Sequence, residues 1–529
     1  MTPGPAGTSP YRRTGAFAAV ALLGLAGVLG AVIVTRSGAG LDADSITYLD
    51  AAQNLAAGRG LALTPGLSVE SNPLGFVPLT HHPPLFPALL AVFQAAGIDP
   101  LAGARWLNAL LLGVNALLVG VIVRRWTGSG QLAILGALLV IASVDLFRAH
   151  TWVLTEPIFV TGVLLGLGWL VRDLEAPRRS ALAGAVVAIA LASLARYAGL
   201  AAIGAGAVAL ALWGSLTPAR RWGRAALFAA AAGLPLVAWL LRNRTVDGSL
   251  TGKQLVVHAL PASRARQGLD SLSAWFLPDI APAAVRYAVL VLVALAVLVA
   301  CWYARGRAEA GLEPRYQARI RLGSRVFGTF ALAYGALVFA TISLFDAHVP
   351  LDARLLAPLY AIVVVLALAG LARLAARAPE VRSIALWALV LLAAVSLTRS
   401  VLWAAGSELD EMGYASRVWR ESALVAEVKG LRDDVRVFSN APDALYVLTG
   451  RPARLVPLKA DPFTRQENAR YPEEVGRLER ELRGRAGVVV YFRWLRWRWY
   501  LPGERELAER LGLVTVATAR EGAMYGAPD

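Results

Sequence analysis

The chain has 529 residues, 57% of them hydrophobic and 17% charged, with a mean hydropathy of +0.56, which excludes an ordinary water-soluble globule. The formal net charge of +16 does not imply a nucleic-acid partner. The arginines fall mostly between apolar runs, where positive-inside topology accounts for them.

Cys301 is the single cysteine, so the chain can form neither an intramolecular disulfide nor a cysteine-held metal centre. Arg12 and Arg13 precede an apolar run from Gly15 to Val34 that is longer than a signal-peptide core and lacks a small-residue cleavage site. It reads as a retained first span. Taking apolar runs of about 20 residues as spans predicts about eleven: 15–35, 104–123, 131–147, 157–171, 180–195, 198–214, 224–241, 284–303, 326–345, 355–375 and 383–404.

With Arg12 and Arg13 on the cytoplasmic side, the other inward connections are 124–125, 172–179, 220–224, 305–325 and 373–382, each bearing arginine. An odd number of spans then places the tail outside. The apolar stretch Leu85 to Ala96 is too short to cross and is expected to lie near the outer interface within a first external loop, 36–103. The expected class is thus a polytopic α-helical membrane protein, spanning residues 1–404, followed at 405–529 by a small extracytoplasmic α/β domain. In that tail Val435–Phe438, Gly487–Phe492 and Leu513–Thr518 read as strands, alternating with helices at Pro472–Leu482 and Glu504–Leu511.

The first external loop reads LDADSITYLDAAQNLAAGRG and then THHPPLFPALLAVF, and it carries the densest chemistry before the tail. Asp44 opens an amphipathic helix that also contains Tyr48. Asp42 and Asp44 both suit a helix N-cap, while a carboxylate at the membrane surface also suits proton abstraction from an acceptor hydroxyl. His81 and His82 stand before Pro83 and Pro84, which fix an extended loop. All five histidines, including His150, His258 and His348, fall in connections expected to be external.

Glu156, in HTWVLTEPIFV, is suited either to a helix start or to a carboxylate pair with Asp44 that could orient an acceptor or share a divalent cation. Arg196, Arg242, Arg244, Lys253 and Arg354 lie at external ends of spans, where topology does not call for positive charge. Phosphate would explain them; snorkelling, or pairing of Arg354 with Asp352, is the plainer account of each alone. In the tail, YFRWLRWRWY interleaves tryptophan with arginine, suiting a headgroup layer or a sugar face.

These pieces resemble the GT-C polyprenyl-phosphate-dependent glycosyltransferases, in the branch of the protein O-mannosyltransferases and aminoarabinose transferases. The matching segments are Asp44 and Tyr48 with AAQNLAAGRG, then HHPPLFPALLAVF, Leu154-Thr155-Glu156-Pro157 and SLARYAGL, with DARLLAP and SNAPDALYVLTGRPA later. The resemblance implies Asp44 and Glu156 as catalytic acids and His82, with Arg354, at the donor phosphate; Arg196 joins the phosphate set by its external position, and His81, Tyr48, Arg244 and Lys253 are further candidates from residue type and sidedness. It implies a polyprenyl-phosphate sugar donor, a lipid, glycan or protein acceptor, inverting displacement, and a multi-pass inner (plasma) membrane protein acting on the extracytoplasmic side. Metal use is left open: some relatives carry a second acid after the first, where this chain has Ser45. The alternative reading is a transporter or flippase of lipid-linked sugars, which would place charges at mid-membrane and show related halves.

Overall fold

The computed structural model describes residues 10–67, 75–257, 259, 261–305, 311–346, 349–407, 409–484 and 487–527. His258 and His348 lie outside the described residues. The chain opens with α1 (Pro10–Val34), followed by the short loop helix α2 (Ala43–Ala56), a two-stranded ribbon of β1 (Ala62–Leu63) and β2 (Val77–Pro78), and α3 (Leu85–Ala95). The bundle continues through α4 (Pro100–Thr127), α5 (Gly130–Ala142), α6 (Val144–Thr151), α7 (Glu156–Glu175), α8 (Arg179–Ala195), α9 (Gly199–Trp213) and α10 (Pro218–Asp247). After α11 (Ala262–Ser273) come α12 (Ala283–Arg305), α13 (Pro314–Leu344), α14 (Ala353–Arg377) and α15 (Pro379–Gly406).

Seven of these helices are long and apolar enough to cross a membrane, and α5 with α6 makes an eighth when the bent pair is taken as one span. The shorter apolar helices α8, α9 and α12 coincide with the remaining predicted spans, and α3, at 11 residues, is too short to cross. The sequence reads 131–147 as one continuous run, whereas the structure bends it by 59° between Ala142 and Val144. Ser143 adopts an extended conformation there and its hydroxyl accepts from the Leu146 amide, starting α6 anew.

The arginine-bearing connections gather at one end of the bundle. Arg125 and Arg319 both reach Glu175, at 2.5 and 3.4 Å, and Arg224 pairs with Asp173 at 2.5 Å. The first loop lies at the other end, because α4 runs from its cap at Asp99 to Arg125. At about 1.5 Å per residue that helix is roughly 40 Å long, enough to separate the two sets by a bilayer.

The tail adds α16 (Arg417–Arg420), α17 (Ala423–Gly430), β3 (Arg436–Ser439), α18 (Pro442–Thr449), β4 (Arg454–Leu455), α19 (Tyr471–Gly484), β5 (Gly487–Phe492), α20 (Glu504–Leu511), β6 (Val514–Ala519) and β7 (Gly522–Gly526). The five strands form one sheet in the order β4-β3-β5-β7-β6, with β3 parallel to β4 and β5, and β7 antiparallel to β5 and β6. The three expected strands and two expected helices are present; β4, only two residues long, and the glycine-flanked β7 carry too little apolar pattern to be read in advance.

The tail docks mainly on the first loop. Ile46, Tyr48, Leu49, Phe86 and Leu90 share a buried core with Trp419, Leu424, Val437 and Phe492. The Leu41 amide donates to Met412 O at 3.1 Å and the Tyr414 amide donates back to Leu41 O at 2.9 Å, while the Tyr446 hydroxyl donates to Asp50 Oδ1 at 3.2 Å. Gly413, between those two bonds, has φ +57°, and an added Cβ would lie 2.1 Å from Leu41 O. Gly413→Ala is therefore expected to destabilise the purified protein by about 1 kcal/mol or more, and Gly430→Ala, with open space at its Cβ, to leave the melting temperature unchanged. Equal melting temperatures for the two variants would refute the tight seam.

Candidate active site

The site forms where α2, the α6–α7 turn, the α8–α9 turn and the start of α14 meet. Asp42, not Asp44, caps α2: its Oδ1 accepts from the Ser45 amide at 2.8 Å, and the Ser45 hydroxyl reaches back to complete a capping box. The Ser45 hydroxyl also donates to Val153 O at 3.0 Å, tying α2 to the turn that carries Glu156. With the cap already supplied, Asp44 is released from that role and points its carboxylate elsewhere.

That carboxylate goes to Arg354. The guanidinium donates from Nη2 to Asp44 Oδ2 at 2.7 Å, from Nη1 to Asp42 Oδ2 at 2.9 Å and from Nε to Glu156 Oε1 at 2.7 Å. Arg196 adds a second cation, with Nη1 2.6 Å from Glu156 Oε1 and 3.1 Å from Thr155 Oγ1. The plainer pairing of Arg354 with Asp352 does not occur, because Asp352 caps α14 through the Leu355 amide at 3.1 Å. Two nominal helix-end residues thus free a fork that spans three acids.

Glu156 occupies the first turn of α7 with 1% of its side chain exposed, while Asp44 keeps 36% and faces the open side. The turn is held from α4: Asn108 Nδ2 donates to Trp152 O and Leu154 O at 2.8 and 3.0 Å, and Asn115 Nδ2 donates to Pro157 O at 3.2 Å. These buried asparagines carry no sequence motif. Their one signal is a polar residue recurring seven positions apart inside an apolar span.

Beside Asp44, His82 Nε2 lies 3.6 Å from Oδ1, and its Nδ1 lies 3.3 Å from the Tyr48 hydroxyl. Burial lowers the His82 pKa to about 4 despite Asp44, so the ring is neutral near pH 7. Burial and the Asp44 charge push the Tyr48 phenol far up, so it stays protonated. Tyr48 is then the donor to Nδ1, which assigns the ring N–H to Nε2, on the Asp44 side. The two aspartates separate in the opposite sense. Burial and neighbouring Asp44 lift Asp42 to about 6 against the pull of Arg354, whereas for Asp44 burial is outweighed by Arg354 and His82, and the carboxyl sits well below its usual range.

The other sequence candidates lie outside this knot. Arg244 caps its own helix by donating to Gly248 O at 2.9 Å. Arg242 donates to Leu79 O at 2.7 Å and bonds the first loop to α10. Lys253 pairs with Asp346 and lies over the Phe463 ring, and His81 also faces Phe463. His150 is buried against Asn115. Asp42 is the residue that sequence reasoning left as a cap alone.

Among the described residues no group of three or more His, Cys, Asp or Glu side chains could hold a metal ion. Arg354 fills the position between the acids that a bridging cation would take, so the residues present do not fit a shared metal and no step is assigned to one.

Arg354→Gln is expected to destabilise the protein by about 3 kcal/mol or more, since removing one partner strands the others. Arg354→Lys should recover part of that loss but not the three-way geometry. Thermal melting of the two purified variants checks this, and a wild-type melt for Arg354→Gln would contradict it.

No family model matches the sequence, and no curated protein matches it. Solved structures do match. ArnT from Cupriavidus metallidurans bound to undecaprenyl phosphate is 14% identical, with a TM-score of 0.51 over 98% of this chain and 100% of that one. The arabinofuranosyltransferase AftD from mycobacteria is 15% identical, with a TM-score of 0.52 over 96% of this chain and 40% of that one. An Archaeoglobus fulgidus oligosaccharyltransferase tethered to an acceptor peptide is 14% identical, with a TM-score of 0.50 over 98% of this chain and 74% of that one. At such identities the likeness is one of fold, and it covers the bundle and the tail together. The chain has the fold that these structures share, a bundle of apolar helices followed by a small α/β tail.

Proposed function

We propose that this protein transfers a sugar from a polyprenyl-phosphate-linked donor to an extracytoplasmic acceptor, with a membrane module to residue 404 and an α/β region beyond it. The observation that carries the reading is the single hydrogen-bonded set in which Asp44 and Glu156, from two different connections, meet Arg354 and Arg196. It lies at the end of the bundle away from the arginine-bearing connections, which supports an extracytoplasmic site. The undecaprenyl phosphate bound to ArnT supports the donor class.

In this reading Asp44 accepts a hydrogen bond from the acceptor hydroxyl and orients its oxygen toward the anomeric carbon. A carboxylate held well below its usual range is a weak base, yet it suffices once the attacking oxygen has begun to bond to carbon and its proton has become strongly acidic. Glu156 Oε2, buried without a hydrogen-bond partner, offers a second acceptor position. As the bond from anomeric carbon to phosphate oxygen breaks, the charge moves to the departing phosphate, where Arg354, Arg196 and neutral His82 can stabilise it. No covalent sugar–enzyme intermediate is invoked, and the configuration inverts.

Asp44→Asn should reduce release of polyprenyl phosphate from a panel of polyprenyl-phosphate sugars by about 100-fold or more, while the variant still inserts in the membrane and folds. Turnover at the wild-type rate in that variant would remove Asp44 from the mechanism.

The donor phosphate must take Arg354 from one of its three carboxylates, and Asp42 is the easiest to displace because its carboxyl, at about 6, is the first to accept a proton. Below that pH Asp42 is neutral and Arg354 is freer; above it Asp42 is ionised and competes with phosphate. The donor KM is therefore expected to rise as pH increases through 6 and to lose that dependence in Asp42→Asn, which keeps the helix cap. A flat wild-type KM over that range would show that Asp42 is not the residue displaced.

A further inference from the structure

A second cluster adjoins the site and is built by parts of the chain that the mechanism does not use. His81, next to His82, faces the ring of Phe463, at 5.7 Å between centroids. The Lys253 ammonium lies 5.2 Å from the same ring. Two residues on, Arg465 sits 5.8 Å from the ring of Trp499, which is 45% exposed and belongs to the tryptophan–arginine run of the tail. α11 brings Arg264, bonded to Gln267 Oε1 at 3.0 Å, within range of the charges of Arg465, Asp352 and Asp346. The cluster thus holds cations from the α10–α11 connection, α11 and the tail, with Asp346 paired to Lys253 and Asp352 near Arg264 among its acids.

Three details mark it as more than a solvated face. Arg465 has φ +59°, the left-handed region, and is the only described non-glycine residue with positive φ. The Asp461 carboxylate accepts from the Phe463 and Thr464 amides at 2.8 and 2.7 Å, shaping the turn that presents Phe463 and Arg465. Finally, this end of the bundle is the one where topology calls for no positive charge.

We infer that Phe463, Arg465, Trp499, Lys253 and Arg264 form an acceptor subsite for an anionic glycan, a saccharide bearing phosphate or carboxylate. The inference rests on the glycosyltransferase reading above and names its acceptor class. Aromatic faces are negative at their centres and attract the polarised C–H face of a sugar ring, and guanidinium forks bind phosphate or carboxylate oxygens through paired bonds. Cations and rings alternate from Trp499 to His81, one residue from His82, whose ring lies beside Asp44, so a glycan laid along them ends at the proposed base.

The test uses the full chain in lipid nanodiscs, titrated separately with a uronic-acid-containing tetrasaccharide, neutral chitotetraose and undecaprenyl phosphate. The charged tetrasaccharide should bind about tenfold more tightly than the neutral one. Arg465→Gly, which suits the left-handed backbone, and Arg264→Gln should each remove most of that difference while leaving undecaprenyl phosphate binding unchanged. Phe463→Ala should weaken both saccharides. Equal binding of the two saccharides to wild type, or variants that weaken undecaprenyl phosphate instead, would overturn the assignment. If undecaprenyl phosphate binds no form of the protein while the charged-glycan preference keeps its dependence on Arg465, the donor reading fails and the subsite stands.

Discussion

One guanidinium organises the acidic cluster at this end of the bundle. Arg354 stands at the head of α14 and bonds three carboxylates that originate from α2 and from the start of α7. Three acids converging at low dielectric repel one another strongly, and only a planar, permanently charged donor set can satisfy all of them at once. The same bonds that hold α2 and α7 against α14 therefore also hold the carboxylates of the proposed site in register. Structure and the proposed chemistry depend on one side chain.

The surrounding architecture serves that convergence. Asp42 and Asp352 take the capping duties of their helices, which leaves Asp44 and Arg354 to face each other. Two asparagines on α4 fasten the turn that carries Glu156, and the tail closes over α2 through Asp50, Tyr446 and the seam at Gly413. Burial raises Asp42, whereas at Asp44 burial is outweighed by the charges of Arg354 and His82 and the carboxylate stays ionised, so neighbouring acids of the same type are suited to different work. In the proposed reaction a donor phosphate meets arginines already engaged and exchanges with a carboxylate, which would link donor arrival to release of the acid beside it.

Much of the fold was legible because membrane physics leaves a strong trace: long apolar runs, arginine at one set of connections, and a composition change at the tail. What the sequence concealed follows equally from physics. A 59° break at Ser143 costs an apolar run only one polar residue, and a two-residue strand such as β4 has no periodicity to detect. At the site, Asp44, Glu156, Arg196, Arg354, His82 and Tyr48 were all nameable from residue type and side of the membrane. Which aspartate caps the helix turned on Ser45 three positions on, and which acids share the fork turned on residues 198 to 312 positions from Arg354. Arg244, His81 and Lys253 were drawn into the same list by sidedness alone, and distance then separated them from the carboxylates.

The most direct test of this account is a cryo-EM structure of the full chain with undecaprenyl phosphate bound. The account predicts the phosphate within hydrogen-bond reach of Arg354 and Arg196, with Asp42 turned away and Asp44 still beside His82. A phosphate seated elsewhere, with Arg354 still bonded to all three acids, would contradict it.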